Sequence, residues 1–161
     1  MVLLEFPHTS LFTPTQKVTV FGPELLIMLN GMWDTMIDAN GIGLAANQVG
    51  IPYSFFVMKG IEEEKLFVIN PRIHKRSSMT SNLKEGCLSA KGVFFKLKER
   101  SRWIDVRYQN EKGEEQLRLF TGIQSVCFQH ESDHLLGKSF LQSKSIPKAE
   151  REELEKKWGL K

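Results

Sequence analysis

Residues 130–134 read His-Glu-Ser-Asp-His. Two histidines four apart stand one turn apart on the same face of a helix, so both imidazoles can reach one metal ion. Glu131 projects beside the first of them, placed to take a proton from water held at such an ion. The flanks, Ser125-Val126-Cys127-Phe128 and Leu135-Leu136, suit a helix. The same five residues would also fit an ordinary helix carrying two solvated or core-capping histidines, so the pattern needs partners elsewhere in the chain.

A hydrolytic metal centre usually has three protein ligands and one open position. Cys87, Cys127, His8, His74 and the carboxylates are the candidates for the third. Cys127 lies three residues before His130 and could approach the site, or serve as a small buried core residue. Cys87 stands in Glu85-Gly86-Cys87-Leu88-Ser89, a polar, glycine-containing segment outside any helix, where a side chain can be aimed at a site. A buried thiol without chemistry is the plainer alternative. Gly41-Ile42-Gly43-Leu44-Ala45-Ala46-Asn47-Gln48 brings backbone close to something. That is either a turn packed on a sheet or a cleft walled by main chain, with Gln48 offering an amide donor. It is not a dinucleotide fingerprint, because it follows a helix and lacks the third spaced glycine.

In order and spacing, Gly41–Gln48, Glu85–Ser89 and Gln129–His134 resemble the three signature motifs of the peptide deformylases. The resemblance runs from about Leu4 to Leu141, taking in the long helix before the first motif and Leu135-Leu136-Gly137-Lys138 after the last. It implies an enzyme that removes the N-formyl group from the formyl-methionine of newly made polypeptides. It further implies that Cys87, His130 and His134 bind the metal, that Glu131 is general base and acid, and that Gln48 and the Leu88 N–H stabilise the oxyanion. Ile42 and Gly43 would present backbone to the substrate, and Val126 and Cys127 would line the pocket for its first side chain, normally methionine. The implied native metal is Fe2+, with Zn2+, Ni2+ or Co2+ as alternatives.

One departure stands out. Where the family commonly continues with a small apolar residue and Pro-Gly, this chain has Ala90-Lys91-Gly92. Lys91 would add a cation and flexibility at the cleft rim and favour substrates with an acidic side chain two or three residues along. Other readings share parts of the pattern. A zinc endopeptidase also uses His-Glu-x-x-His, but no third His or Glu stands at the usual downstream distance. A catalytically weakened deformylase-like protein with altered substrate preference is the alternative that Lys91 raises, whereas a retired homologue that binds formylated peptides or ribosomes would have no use for Glu131.

The elements that must position these residues are legible in part. Gly22-Pro23-Glu24 starts a helix, since proline suits the first turn and an acid meets the positive end of the dipole. Leu25, Leu29, Met32 and Met36 give it one apolar face, and it should end near Asn40-Gly41. Strands are expected at Ser54–Met58, at Lys65–Ile69 with Asn70-Pro71 as its end, and at Val93–Leu97, Trp103–Tyr108 and Gln116–Phe120. A second helix should run from about Gly122 to Leu136, stopped at Gly137. After Pro147, Glu152/Lys156 and Glu153/Lys157 at i,i+4 spacing, with Leu154 and Trp158 on another side, predict a third, terminal helix. Lys144, Lys148, Lys156, Lys157 and Lys161 sit among acids there: a solvated helix, or, by the resemblance, a ribosome contact. The first twenty residues read as an irregular arm. Strands grouped between helices predict an α+β fold, antiparallel or mixed sheets around a central metal-binding helix with a helix towards each end, in a single domain over 1–161.

Whole-chain properties set the outer limits. A chain of 161 residues with 41% hydrophobic and 25% charged residues can bury a core without disulfides. The net charge of +3 without a dense basic stripe is no nucleic-acid footprint, so direct DNA binding is not expected. Two cysteines suit a reducing compartment. Met1-Val2-Leu3-Leu4-Glu5 lacks the features of a secretory signal, and runs such as Phe55–Met58 are too short to span a bilayer. The cytoplasm is the expected location, away from any membrane.

Overall fold

The computed structural model describes residues 1–159, so Lys161 of the tail cations lies outside the described residues. Helix α1 spans Pro23–Asp38 and α2 spans Gly122–Leu135, while α3 spans Lys148–Trp158. Strands β1 (Gly43–Ala45), β2 (Phe55–Lys59), β3 (Lys65–Arg76), β6 (Trp103–Gln109) and β7 (Glu115–Thr121) form one sheet in the order β1-β2-β3-β6-β7. Strands β4 (Glu85–Cys87) and β5 (Ala90–Phe95) form a separate hairpin. Every ladder is antiparallel. The α+β expectation holds, with the site-bearing α2 against the large sheet.

Strand β2 explains how the two long helices are held apart. Its residues Phe55 to Met58 are all fully buried, and they alternate between two cores. Phe55 and Val57 pack with Leu25, Leu29, Met32 and Met36 of α1. Phe56 and Met58 pack with Phe128 and Leu135 of α2. A strand covered on both faces reads as an unbroken apolar run, which is how Phe55–Met58 reads. Phe128 is the hub of the second core, edge-on to Phe56 at 5.1 Å and tilted against Phe120 at 5.6 Å.

Strand β3 departs from expectation. Asn70-Pro71 does not end it, and pairing with β6 resumes at Arg72 after a register shift. Asn70 adopts φ 51° there, and its side chain is held by the Val18 backbone N–H and C=O, both at 2.9 Å, and by Gln109 at 2.7 Å. The pair is therefore a bulge, the one place inside a strand where a proline without an N–H does no harm.

A third core lies under the β4–β5 hairpin. Phe6 and Leu11 from the N-terminal arm join Cys87, Ala90, Leu97, Phe140, Leu141 and Ile146, with Leu154 and Trp158 of α3 against them. The arm also straps the motif segments together. Leu4 N–H donates to the Gln48 carbonyl at 2.8 Å, Phe6 N–H to the Ser89 carbonyl at 3.0 Å, and Thr15 N–H to the Leu135 carbonyl at 2.9 Å.

Candidate metal centre and its cleft

Helix α2 is polar in sequence yet buried on both sides. Ser125, Gln129, His130, Glu131 and His134 are all buried. Gln129 pins the helix: its Oε1 accepts from Ser101 N–H at 3.0 Å, and its Nε2 donates to the carbonyls of Ser101 and Ser125, each at 3.0 Å. With Phe128 locked in the sheet core and Gln129 locked against Ser101, the next turn of α2 faces the β4–β5 hairpin.

Across that gap Cys87 meets the two histidines. The Cys87 Sγ lies 3.2 Å from His134 Nε2, which lies 3.2 Å from His130 Nε2, and all three donor atoms fall within 4.8 Å of one another. Ligands about 2.0–2.3 Å from a tetrahedral ion would themselves be separated by about 3.3–3.7 Å, so the spacing suits a single ion. The donor set fits as well. His130 Nδ1 is 2.8 Å from the Glu85 carboxylate, which places the ring proton on Nδ1 and leaves the Nε2 lone pair for the centre. Of the other candidates for third ligand, His8 is exposed on the arm and His74 is exposed on β3. Cys127 is buried in the cleft wall with Sγ 3.5 Å from the Ile42 carbonyl. Burial, together with the charges of Glu131 and Glu85, pushes its thiol well up.

Behind the histidines runs a chain of buried charge. Arg100 grips Glu85 with both arms, Nε to Oε2 at 2.6 Å and Nη2 to Oε1 at 2.7 Å, and reaches Asp133 Oδ2 at 2.6 Å through Nη1. Burial alone would raise the Glu85 pKa. Hydrogen bonds from Arg100 and His130 outweigh it and hold the carboxyl below its usual range. Glu85 thus stays ionised and orients His130. Glu85 and Cys87 stand two apart on β4 and are both buried, but a three-residue strand carries no alternation that the sequence alone would disclose. Arg100 offered no signal either, because its partners lie 15 and 33 residues away. Asp133 and Gln129 were visible only as members of a motif.

Glu131 is buried beside the triad, with Oε2 lacking any hydrogen-bond partner among the described residues. Burial raises its pKa to about 7, with the nearby Glu85 charge adding to the rise and His130 opposing it. The first motif packs directly on this carboxylate. A Cβ at Gly43 would come within 2.5 Å of Glu131 Oε1 and 2.6 Å of Cys127 Sγ, and one at Gly41 within 2.7 Å of Leu88 Cδ1. Glycine is needed at both places so that backbone can form the wall. Gln48 closes the group: its Oε1 accepts from Ala45 N–H at 2.8 Å, which turns its Nε2 towards Ser89 Oγ at 3.0 Å and Cys87 Sγ at 3.5 Å.

The result is a cleft of about 420 Å³ whose lining includes Ile42, Gly43, Cys87, Leu88, Val126, Cys127, His130 and Glu131. Gln48 and His134 sit behind it, 1% exposed each. A larger hollow of about 500 Å³, lined in part by Lys17, Asn70, Arg72 and Arg107, contains none of the expected site residues. Lys91 stands at the cleft rim as expected, but not as an unpaired cation. Gly86 pairs with Phe94 and Cys87 with Ala90, so Lys91, Gly92 and Val93 loop out of the ladder. There the Lys91 ammonium lies 2.9 Å from the Glu5 carboxylate of the arm.

A helix-borne His-Glu-x-x-His joined by a hairpin cysteine, beside a buried carboxylate and a narrow cleft, is the build of a metal-dependent hydrolase. Residues 1–150 match the family model for polypeptide deformylase, and the chain belongs to that family. It is 40% identical to the peptide deformylase of Aquifex aeolicus over 141 residues, 84% of this chain and 82% of the relative. Against that of Pseudoalteromonas translucida it is 38% identical over 151 residues, 92% and 89% of the two chains. Among solved structures, the Synechococcus elongatus peptide deformylase in complex with actinonin superposes with a TM-score of 0.89 at 34% identity, covering 99% of this chain and 86% of the other. The Thermotoga maritima peptide deformylase does so with a TM-score of 0.85 at 36% identity, covering 90% and 97%. Among the described residues, no helix is long and apolar enough to cross a membrane.

Proposed function

We infer that this chain hydrolyses the formamide at the N-terminus of formyl-methionyl nascent polypeptides, using one divalent ion held by Cys87, His130 and His134. The observation that carries the reading is the convergence of Cys87 Sγ, His134 Nε2 and His130 Nε2 within 4.8 Å beside a buried Glu131, in a chain of the deformylase family. Such an ion supplies Lewis acidity, acidifying a water and polarising the formyl carbonyl. Glu131 takes the proton of the attacking water and returns it to the departing amine, a role that its burial beside the three donors and its Oε2, unpartnered among the described residues, suit. The Gln48 amide and the Leu88 N–H donate to the oxygen that becomes negative, and each such donor is worth about 3 kcal/mol in the barrier. The backbone of Ile42 and Gly43 aligns the peptide, while Val126 and Cys127 receive the methionine side chain.

The test pairs a formyl-Met peptide with an internal-peptide substrate, alongside elemental analysis of wild type and Cys87→Ala. Deformylation without endoproteolysis, and loss of stoichiometric metal in the variant, support the reading. Cleavage of the internal peptide, or full metal in Cys87→Ala, overturns the reaction or the ligand set respectively.

Fe2+ is the native ion on this reading because membership of the deformylase family favours it, whereas one thiolate and two imidazoles would not by themselves choose among Fe2+, Zn2+, Ni2+ and Co2+. Activity then decays in air with iron and persists with Zn2+, Ni2+ or Co2+, and equal air stability of the iron and nickel forms counts against it. The place of action is the cytoplasm, where nascent chains emerge. Lys156 and Lys157, in the last turn of α3, are the proposed ribosome contact. Because Leu154 and Trp158 of α3 pack against the core that contains Cys87, charge reversal serves better than deletion. Lys156→Glu with Lys157→Glu should weaken co-sedimentation with ribosomes while sparing a short peptide, and unchanged co-sedimentation leaves α3 a packing element.

A further inference from the structure

The cleft has an uneven rim. Its two acidic lining residues, Glu85 and Glu131, are buried at the floor, whereas its two lysines, Lys84 and Lys91, are exposed at the mouth. Lys84 immediately precedes β4, and Lys91 sits in the three-residue loop ejected from the β4–β5 ladder. Both therefore ride on the hairpin that also carries Cys87. Three large apolar side chains share the mouth: Ile42 at 43% exposure, Ile123 at 50% and Phe94 at 64%. Phe94 is held in place because its ring lies over Gly86, where an added Cβ would meet it at 2.4 Å. A peptide whose first side chain is buried near Val126 and Cys127 must leave across this rim.

An extended chain advances roughly 3.3 Å per residue, so the second and third side chains lie roughly 7–10 Å beyond the reacting carbonyl. A lysine side chain spans a comparable distance. The rim thus offers positive charge and apolar contact, and no exposed acid of the lining opposes an anionic side chain. Among the ion pairs of the described residues, the carboxylate at this rim belongs to Glu5, on the arm, whose Oε1 is 2.9 Å from the Lys91 ammonium with both groups more than half exposed. A carboxylate arriving at Lys91 would meet Glu5 already paired with it. Lys84 has no ion pair among the described residues.

We propose that Lys84 and Lys91 read acidic side chains at the second or third residue of the formylated substrate, with Glu5 as a built-in competitor that tempers the preference. This rests on the deformylase reading and adds the substrate class. It follows from charge placement: an acidic peptide gains two nearby cations and displaces one exposed intramolecular pair, which costs little because exposed pairs are weak and screened.

The experiment compares kcat/KM for paired formyl-Met peptides carrying Asp or Lys at the second and third positions. It uses wild type, Lys84→Ala with Lys91→Ala, and Glu5→Gln, at low and high salt. The ratio is taken within each protein, so that any change common to both peptides cancels. Wild type should prefer the Asp peptides by about three- to fivefold at low salt, with the preference shrinking at high salt. The double variant should bring the ratio close to one, and Glu5→Gln should raise it about twofold. The same ratio in wild type and the double variant, or a ratio indifferent to salt, overturns the proposal. A ratio lowered by Glu5→Gln removes Glu5 as competitor. If wild type deformylates neither peptide, the functional reading falls and takes this proposal with it, whereas equal use of both removes the proposal alone.

Discussion

Helices α2 and α3 carry ionisable pairs at the same spacing and do opposite things with them. His130 and His134 of α2 are four residues apart, buried, and lie with Cys87 so that the three donor atoms fall within 4.8 Å of one another. Lys148 and Glu152 of α3 are also four apart, but they are separated by 3.7 Å with side chains 82% and 53% exposed. Spacing brings side chains to one face in both cases. Chemistry needs two further things: exclusion of water, and a second element that supplies what the helix lacks. For α2 these are the sheet core around Phe128 and the hairpin that brings Cys87 and Glu85. Helix α3 has a packing edge, Leu154 and Trp158, and otherwise faces solvent.

The largest effect that would sharpen this contrast lies at Glu131. Glu131→Gln keeps the shape and the three donors, so metal content by elemental analysis should be retained. Turnover of a formyl-Met peptide should fall about 1,000-fold, roughly 4 kcal/mol in the barrier. An active variant would mean that α2 only holds the ion and that the proton moves through another group.

Next comes Arg100, which sits on neither helix. Arg100→Met leaves Glu85 buried without its bidentate partner, and a broken buried pair of this kind costs about 3–5 kcal/mol. Thermal unfolding should shift down by about 10 °C for a chain of this size. Adding Glu85→Gln should recover part of that loss, because the stranded charge is what makes the single variant costly. A shift of only a degree or two would show that the network is incidental to the position of α2.

Glu85→Gln alone tests the link from network to centre. It retains an acceptor for His130 Nδ1 but removes the charge that favours that proton, so metal affinity should drop about 10- to 100-fold, roughly 1.4–2.7 kcal/mol. A chelator competition on the folded protein reads this directly, and an unchanged dissociation constant would make Glu85 a structural group only.

The same contrast explains what the sequence disclosed. Helices α1 and α3 each have one face against the protein and one against water, so Leu25, Leu29, Met32 and Met36, or Leu154 and Trp158, announce them by period. Helix α2 has no apolar stripe, since both of its sides are covered, and only the histidine spacing marked it. The triad was legible because cysteine and histidine are rare in this chain and their motifs are ordered, and Glu131 because it stands inside the histidine motif. The strands that carry the first two motifs were not, because β1 and β4 are three residues each, too short for alternation to register. In sequence Asn70-Pro71 reads as a strand end although the same dipeptide serves a bulge, and only the side-chain clasp to Val18 and Gln109 decides between them. Arg100 was invisible for a different reason. Its role depends wholly on partners brought close by the fold.

The smallest effect belongs to α3, and its smallness is what makes it informative. Lys148 stands in the first turn of the helix, where a positive charge meets the positive end of the dipole, while its bond to Glu152 is long and exposed. Lys148→Ala gives up an exposed ion pair, worth less than about 1 kcal/mol, and relieves a dipole clash of similar size. Alanine's helix propensity is slightly better than that of lysine. The terms oppose one another, so unfolding stability in denaturant should move by less than about 0.5 kcal/mol in either direction, with any difference shrinking as salt is raised. Metal content and turnover should stay with wild type, because no group of the centre touches this pair. A loss above about 1.5 kcal/mol would be too large for a solvated pair. It would place α3 in the same category as α2, a helix whose charges hold the architecture, and the distinction between burial and spacing drawn from these two helices would fail.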